Sequence, residues 1–171
     1  DEGKYFAYPP VNGYLDLREA IAEKFKKENG LNYTPDQIVV SNGAKQSIAN
    51  IFQAIINEGD EVVVFSPFWV SYSALIELAG GVPVLVKGGI ENDFKVTAEQ
   101  FEAAITSKTK AMIFSSPCNP TGSVFTKPEL EAIAKVVLKH ENLVVVSDEI
   151  YEHINYTGAH ASIGALPGML E

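Results

Sequence analysis

Short runs of β-branched and aromatic residues alternate along this chain with stretches whose apolar positions recur every three or four residues, and few folds accept that alternation. Ile38–Val40, Glu61–Phe65, Val82–Val86, Ala111–Phe114 and Leu143–Ser147 read as strands. The last of them, Leu-Val-Val-Val-Ser, is apolar at successive positions rather than alternate ones, the mark of a strand covered on both faces. About five strands with helices between them predict an α/β fold: a mainly parallel sheet with helices on both faces.

The intervening segments carry helix signals. Leu17, Ala20, Ile21 and Phe25 place a helix over about Leu15 to Glu28, stopped by Asn29-Gly30. Ile48, Ile51, Phe52, Ile55 and Ile56 form a second stripe, and Tyr72, Leu75, Ile76 and Ala79 a third. Phe101, Ala104 and Ile105 mark a fourth, and Leu130, Ile133, Ala134, Val137 and Leu138 a fifth. Thr34–Gln37, Thr97–Gln100 and Thr126–Glu129 each have the spacing of a capping box. Arg18, the only arginine, is expected in a surface or intersubunit ion pair. From Tyr156 to Glu171 the periodicity fades, and the chain reads as cut.

Totals bound the partners. In a chain of 171 residues, 46% hydrophobic and 20% charged is ordinary globular composition. Thirteen basic against 22 acidic residues give a formal charge of -9, which argues against nucleic acid or an anionic membrane as the main partner. Any anion must then be held by local geometry. Cys118 stands alone, so no internal disulfide forms; it reads as a small buried hydrophobe and suits a reducing, cytoplasmic setting. No apolar run approaches the ~20 residues that span a bilayer.

Ligands of a doubly wound sheet bind beyond the carboxyl ends of its strands, so side chains leaving those ends are the site candidates. Asp148 leaves the last strand; an acid at an apolar sheet edge calls for a cationic ring nitrogen or a metal, or else serves as a cap. Ser41-Asn42-Gly43-Ala44-Lys45-Gln46 joins a strand to a helix with small residues, an arrangement in which free amides and the helix dipole meet an anion. Trp69 follows another strand and reads as a stacking platform or a large core residue. Asn119, between Pro117 and Pro120 with Gly122 beyond, is aimed by a stiff loop or closes an Asx turn. A metal set of Asp148, Glu152, His153 and His160 fits no standard spacing, so no metal is expected. A hydrophobic strand ending in Asp148-Glu149 also resembles the magnesium strand of a nucleotide hydrolase, but the required G-x-x-x-x-G-K-[ST] loop is missing from the sequence.

Taken together, Tyr8-Pro9-Pro10 through Arg18-Glu19-Ala20, Asn42-Gly43-Ala44-Lys45-Gln46, Ser66-Pro67-Phe68-Trp69, and Ser116-Pro117-Cys118-Asn119-Pro120-Thr121-Gly122 with Ser147-Asp148-Glu149-Ile150-Tyr151 resemble one family. It is the pyridoxal-phosphate aminotransferases of the aspartate aminotransferase fold, in their bacterial aspartate/prephenate branch. The resemblance implies that residues 1–171 are part of the large cofactor-binding domain, with the small domain and the Schiff-base lysine outside the chain, so that the chain alone is inactive. It implies pyridoxal 5'-phosphate as cofactor, an amino acid (aspartate first) and a 2-oxo acid as substrates, and a homodimer. Asp148 resembles the partner of the ring nitrogen, and Asn119 and Tyr151 the holders of the ring's phenolic oxygen. Trp69 resembles the stacking aromatic, and Gly43, Ala44 and Lys45 the phosphate turn. Tyr8 resembles the tyrosine that reaches the neighbouring subunit's phosphate. Trp69, Asn119 and Lys45 would also touch substrate carboxylates. A non-catalytic sensor or scaffold of the same fold is the alternative.

Overall fold

The computed structural model describes Gly3 and residues 5–170 of the chain. The polypeptide divides into two compact units, Asp1–Ser47 and Ile48–Glu171.

In the first unit, α1 (Leu15–Lys24) forms as expected, but its last turn widens into a π turn over Phe25–Asn29. Gly30 ends it in the left-handed region at φ 70, and the Leu31 N–H reaches back to the Phe25 carbonyl at 3.0 Å. Arg18 does pair with an exposed acid, Asp36, but that contact is the longest it makes, and the arginine itself is buried. It is 7% exposed, and its guanidinium donates to the carbonyls of Gly13 (3.2 Å) and Pro35 (2.7 Å), with the Asp36 carboxylate farther away at 3.5 Å. The arginine therefore satisfies buried backbone oxygens, tying the helix to the loops on either side of it. Gly13 is needed where it stands: its φ is +94, and a Cβ there would lie 2.7 Å from the Cβ of Val40.

Ile38–Val40, expected to be a strand, is extended without entering a sheet. The Ile38 N–H donates to the nearby Pro35 carbonyl, and the Val40 N–H makes a single bond to the Asn12 carbonyl, 28 residues back, without a ladder. Three residues suffice for the pattern but not for a ladder.

The second unit holds the sheet. Its strands are β1 (Glu61–Ser66), β2 (Val82–Lys87), β3 (Thr109–Ser115) and β4 (Val144–Asp148), all parallel, in the spatial order β2-β1-β3-β4. The alternation of side chains across the pleat divides β1 between two cores. Val63 and Phe65 pack with Phe101 of α4 (Ala98–Ala104) and with Leu130 and Ile133 of α5 (Lys127–Val137). Val62 and Val64 pack on the other face with Tyr72 and Ile76 of α3 (Ser71–Leu78), and with Ile48 and Phe52 from the later turns of α2 (Ala44–Ile55). Full burial of each such side chain contributes roughly 1.5–3 kcal/mol. Helices thus cover both faces, as the sequence predicts.

From β1 the chain crosses to β2 on one side; from β3 it crosses to β4 on the other. A single handedness for parallel crossovers requires α3 and α5 on opposite faces, which is the arrangement found. The reversal opens a crevice beyond the carboxyl ends of β1 and β3.

Candidate active site

The chain leaves β1 through Pro67 and β3 through Cys118, and the two exits touch across the crevice: the Cys118 thiol lies 3.4 Å from the Pro67 carbonyl oxygen. Beyond Cys118 the backbone closes on itself, the Gly122 N–H donating to the Cys118 carbonyl (2.7 Å) and the Cys118 N–H to the Ser123 carbonyl (2.9 Å). Gly122 sits at φ 75, which a side chain would resist. Asn119 therefore stands near the tip of a closed loop, and its amide makes no hydrogen bond among the described residues, so it does not close an Asx turn. The Ser116 N–H donates to the Asp148 carbonyl at 3.1 Å, locking this loop to the end of β4.

Asp148 is half-buried at that end. Its Oδ2 accepts the Tyr72 phenol at 2.6 Å, and its Oδ1 accepts the Ile150 N–H at 3.2 Å. Both oxygens keep acceptor capacity. Tyr72 is fully buried; burial first, then the bond to Asp148 and that residue's negative charge, push its phenol far above the ordinary tyrosine range. At neutral pH it is therefore a neutral donor. The Trp69 ring meets Tyr72 edge-on, centroids 5.8 Å apart, while Phe68 lies parallel to it at 6.2 Å. Trp69 is half-buried against the α2–α3 core, so it is partly a core residue and partly open at the rim. Tyr151 lies in the turn after β4, half-buried, its hydroxyl without a hydrogen bond among the described residues.

The structure thus gathers Trp69, Cys118 and Asp148 around Tyr72, with Asn119 and Tyr151 on the loops that follow β3 and β4. Tyr72 is the member that the sequence reading missed, treating it as one more apolar position on α3. Its phenol was the available signal, since a buried hydroxyl needs an acceptor, but that acceptor lies 76 residues away. Gly43, Ala44, Lys45 and Tyr8 fall in the first unit. Gly43 has φ +87 with no atom within 4 Å of a Cβ built on it, so the surface above this helix start is open. Gln46 accepts the Asn42 N–H at 2.5 Å, and Lys45 is exposed at the head of α2. Tyr8 is fully exposed, outside any helix or strand.

The metal set weighed from the sequence does not assemble as written. Asp148 is turned to Tyr72, and the ligand atoms that cluster among the described residues, within 4.8 Å of one another, are those of Glu149, Glu152 and His160. No described helix is long and apolar enough to cross a membrane.

A crevice at a topological switch point, lined by an acid, an indole and an amide on loops fixed by the sheet, defines an α/β ligand-binding domain. The chain belongs to the class I and II aminotransferase family, whose model matches residues 1–168. It is 52% identical over 163 residues to an aspartate aminotransferase of Bacillus sp. (strain YM-2), covering 95% of this chain and 41% of that protein. An aspartate/prephenate aminotransferase of Cereibacter sphaeroides is 50% identical over 147 residues, 86% of this chain and 37% of the relative. Among solved structures, a Thermus thermophilus aspartate aminotransferase mutant superposes with TM-score 0.91 at 48% identity, covering 94% of this chain and 42% of its own. An aromatic aminotransferase from Pyrococcus horikoshii gives 0.93 at 46% identity, covering 96% and 44%. The chain spans about two fifths of the length of these relatives. They favour neither the hydrolase nor the scaffold alternative.

Proposed function

We propose that this chain is part of the large, cofactor-binding domain of a cytoplasmic, homodimeric pyridoxal-phosphate-dependent aminotransferase that moves an amino group between an amino acid, aspartate first, and a 2-oxo acid. The observation that carries the reading is Asp148, a carboxylate at the carboxyl end of β4, held by the Tyr72 phenol, whose ring meets the Trp69 indole edge-on.

The residues present fit the group by the chemistry of their donors and acceptors. Asp148 has lone pairs left for a protonated ring nitrogen, and a carboxylate there favours the charged ring. The Asn119 amide and Tyr151 phenol, both without partners among the described residues, supply donors for a phenolic oxygen. Trp69 offers a flat apolar surface for stacking. The open helix start at Gly43, Ala44 and Lys45 suits a phosphate, with Tyr8 serving the partner subunit's. Trp69, Asn119 and Lys45 also orient the substrate's carboxylates, Lys45 the distal one. When bound, pyridoxal phosphate supplies an electron sink for the substrate's α-carbon. Tyr72 keeps Asp148 aimed, and because its own proton is held so firmly it does not compete as an acid. In this reading the Schiff-base lysine and the small domain belong to the remainder of the full-length protein.

The test uses the full-length protein. Added pyridoxal phosphate should give a visible absorption band that aspartate bleaches, and Asp148→Ala should lower kcat by roughly 10²–10³-fold, the scale of losing one preorganised electrostatic partner. Near-normal turnover in that variant would overturn the role given to Asp148. A wild-type protein that develops no band would overturn the cofactor reading itself.

A further inference from the structure

Asp148, the last residue of β4, and Glu149, the residue after it, are adjacent acids whose hydrogen bonds run to different partners. Asp148 joins Tyr72 on the α2–α3 side. Three donors converge on Glu149. Its Oε1 accepts the hydroxyls of Ser147 and Ser162, each at 2.8 Å, and its Oε2 lies 2.7 Å from His160 Nε2. The pair is withdrawn from water, the Glu149 and His160 side chains being 18% and 11% exposed. His160 Nδ1 is buried with no hydrogen-bond partner among the described residues. An orphaned buried N–H is the costlier arrangement, so the hydrogen-bond pattern assigns the proton to Nε2, which donates to Glu149.

Between the two ends of this network the chain from Ile150 to Ala159 is mostly exposed, and its described hydrogen bonds are local: Glu152 N–H to Glu149, Ile154 N–H to Tyr151, and Thr157 to Asn155. After His160, Ile163 and Leu166 pack into the α4–α5 core. Both ends of the loop that carries Tyr151 therefore meet at one carboxylate.

We propose that Glu149 is a positioning residue: it clamps residues 160–162 to the end of β4 and so fixes the turn on which Tyr151 stands. The clamp rests on geometry alone; its link to the site rests on the role given above to Tyr151. The two acids divide the work, Asp148 facing the ligand and Glu149 holding the frame. What the clamp needs is connectivity rather than charge. A glutamine at this position presents an amide oxygen to His160 Nε2–H and an NH2 group to the two serine oxygens, so it preserves all three links. Alanine preserves none.

The experiment compares wild type, Glu149→Ala, Glu149→Gln, Tyr151→Phe and the Glu149→Ala/Tyr151→Phe double variant, all in the full-length protein. Without cofactor, amide hydrogen exchange over residues 150–162 should quicken in Glu149→Ala while β1 and β3 stay slow, and should be unchanged in Glu149→Gln. Exchange in Glu149→Ala equal to wild type overturns the clamp. With pyridoxal phosphate, Glu149→Ala should weaken affinity by roughly tenfold, the scale of one lost hydrogen bond to a charged or polar partner. It should also move the pH midpoint of the visible band in the direction Tyr151→Phe moves it, and add little on top of Tyr151→Phe. Fully additive effects overturn the route through Tyr151, and a glutamine variant as impaired as alanine would mean that the charge acts directly. A wild type that binds no pyridoxal phosphate sinks the functional reading, while the exchange result still decides the clamp. Should Glu149→Ala not fold, Ser162→Ala removes one donor and must show the same ordering on a smaller scale.

Discussion

At the scale of single residues, the centre of the site is a tyrosine whose aromatic ring serves the core and whose hydroxyl serves an acid. Tyr72→Phe keeps the ring and removes the donor, leaving Asp148 Oδ2 short of a partner; it should cost roughly 1.5–3 kcal/mol in urea unfolding at neutral pH. The pH dependence has a definite sign. A phenol whose folded pKa is raised contributes stability that is whole below the ordinary tyrosine value of 10.0 and is lost as pH climbs beyond it, because the unfolded chain then releases the proton first. Unfolding curves between pH 9 and 11 should show this loss in wild type and a smaller one in Tyr72→Phe; equal slopes would refute it. Lys45 is the specificity candidate. Lys45→Met should lower kcat/KM for aspartate more than for alanine or tyrosine, and equal losses would remove it from the distal carboxylate.

At the scale of elements, the helix starts were the most legible features, because a capping box is a local interaction written in four adjacent residues. All three form. At the start of α5, Glu129 does double duty: burial pushes its carboxyl up, but bonds from Lys95 and from the N–H and hydroxyl of Thr126 outweigh this and hold it below the usual carboxylate value. The stability it lends is present above that usual value and lost as pH falls through the lowered one. Lys95→Met should therefore flatten the acid limb of a stability profile. Thr126→Ala should cost about 1 kcal/mol, read from the urea midpoint. The expected strand at Ile38–Val40 failed for the opposite reason. A strand is a pairing, and a three-residue apolar run carries no information about whether a neighbour exists.

At the scale of the whole molecule, β4 pairs with β3 alone among the described residues, and β2 with β1 alone, so two sheet edges carry unpaired backbone groups. The 171-residue chain by itself should associate with rising concentration more than the full-length protein does, as sedimentation velocity would reveal. It should also give no measurable amino transfer from aspartate to 2-oxoglutarate. Amino transfer needs a lysine amine poised at the reacting carbon, and in the proposed arrangement Lys45 stands at the phosphate end. Activity in the isolated chain, together with one stoichiometric lysine adduct after borohydride reduction, would show that a lysine of this chain fills that role.

What the sequence determined by itself was periodicity and local chemistry. Uninterrupted β-branched runs can be buried only in a sheet covered on both sides, and loops such as Pro117–Gly122 are stiffened by their own residues, so the fold class, the helix ends and the candidacy of Asp148, Trp69 and Asn119 were all legible. Tertiary structure alone decided which residues meet. Strand order and crossover side brought Tyr72 to Asp148 and Ser162 and His160 to Glu149, contacts between segments that share no local pattern. The burial of Arg18 was hidden for the same reason. A guanidinium flanked in sequence by Asp16 and Glu19 reads as a surface charge, and only the folded backbone shows the carbonyls that it satisfies.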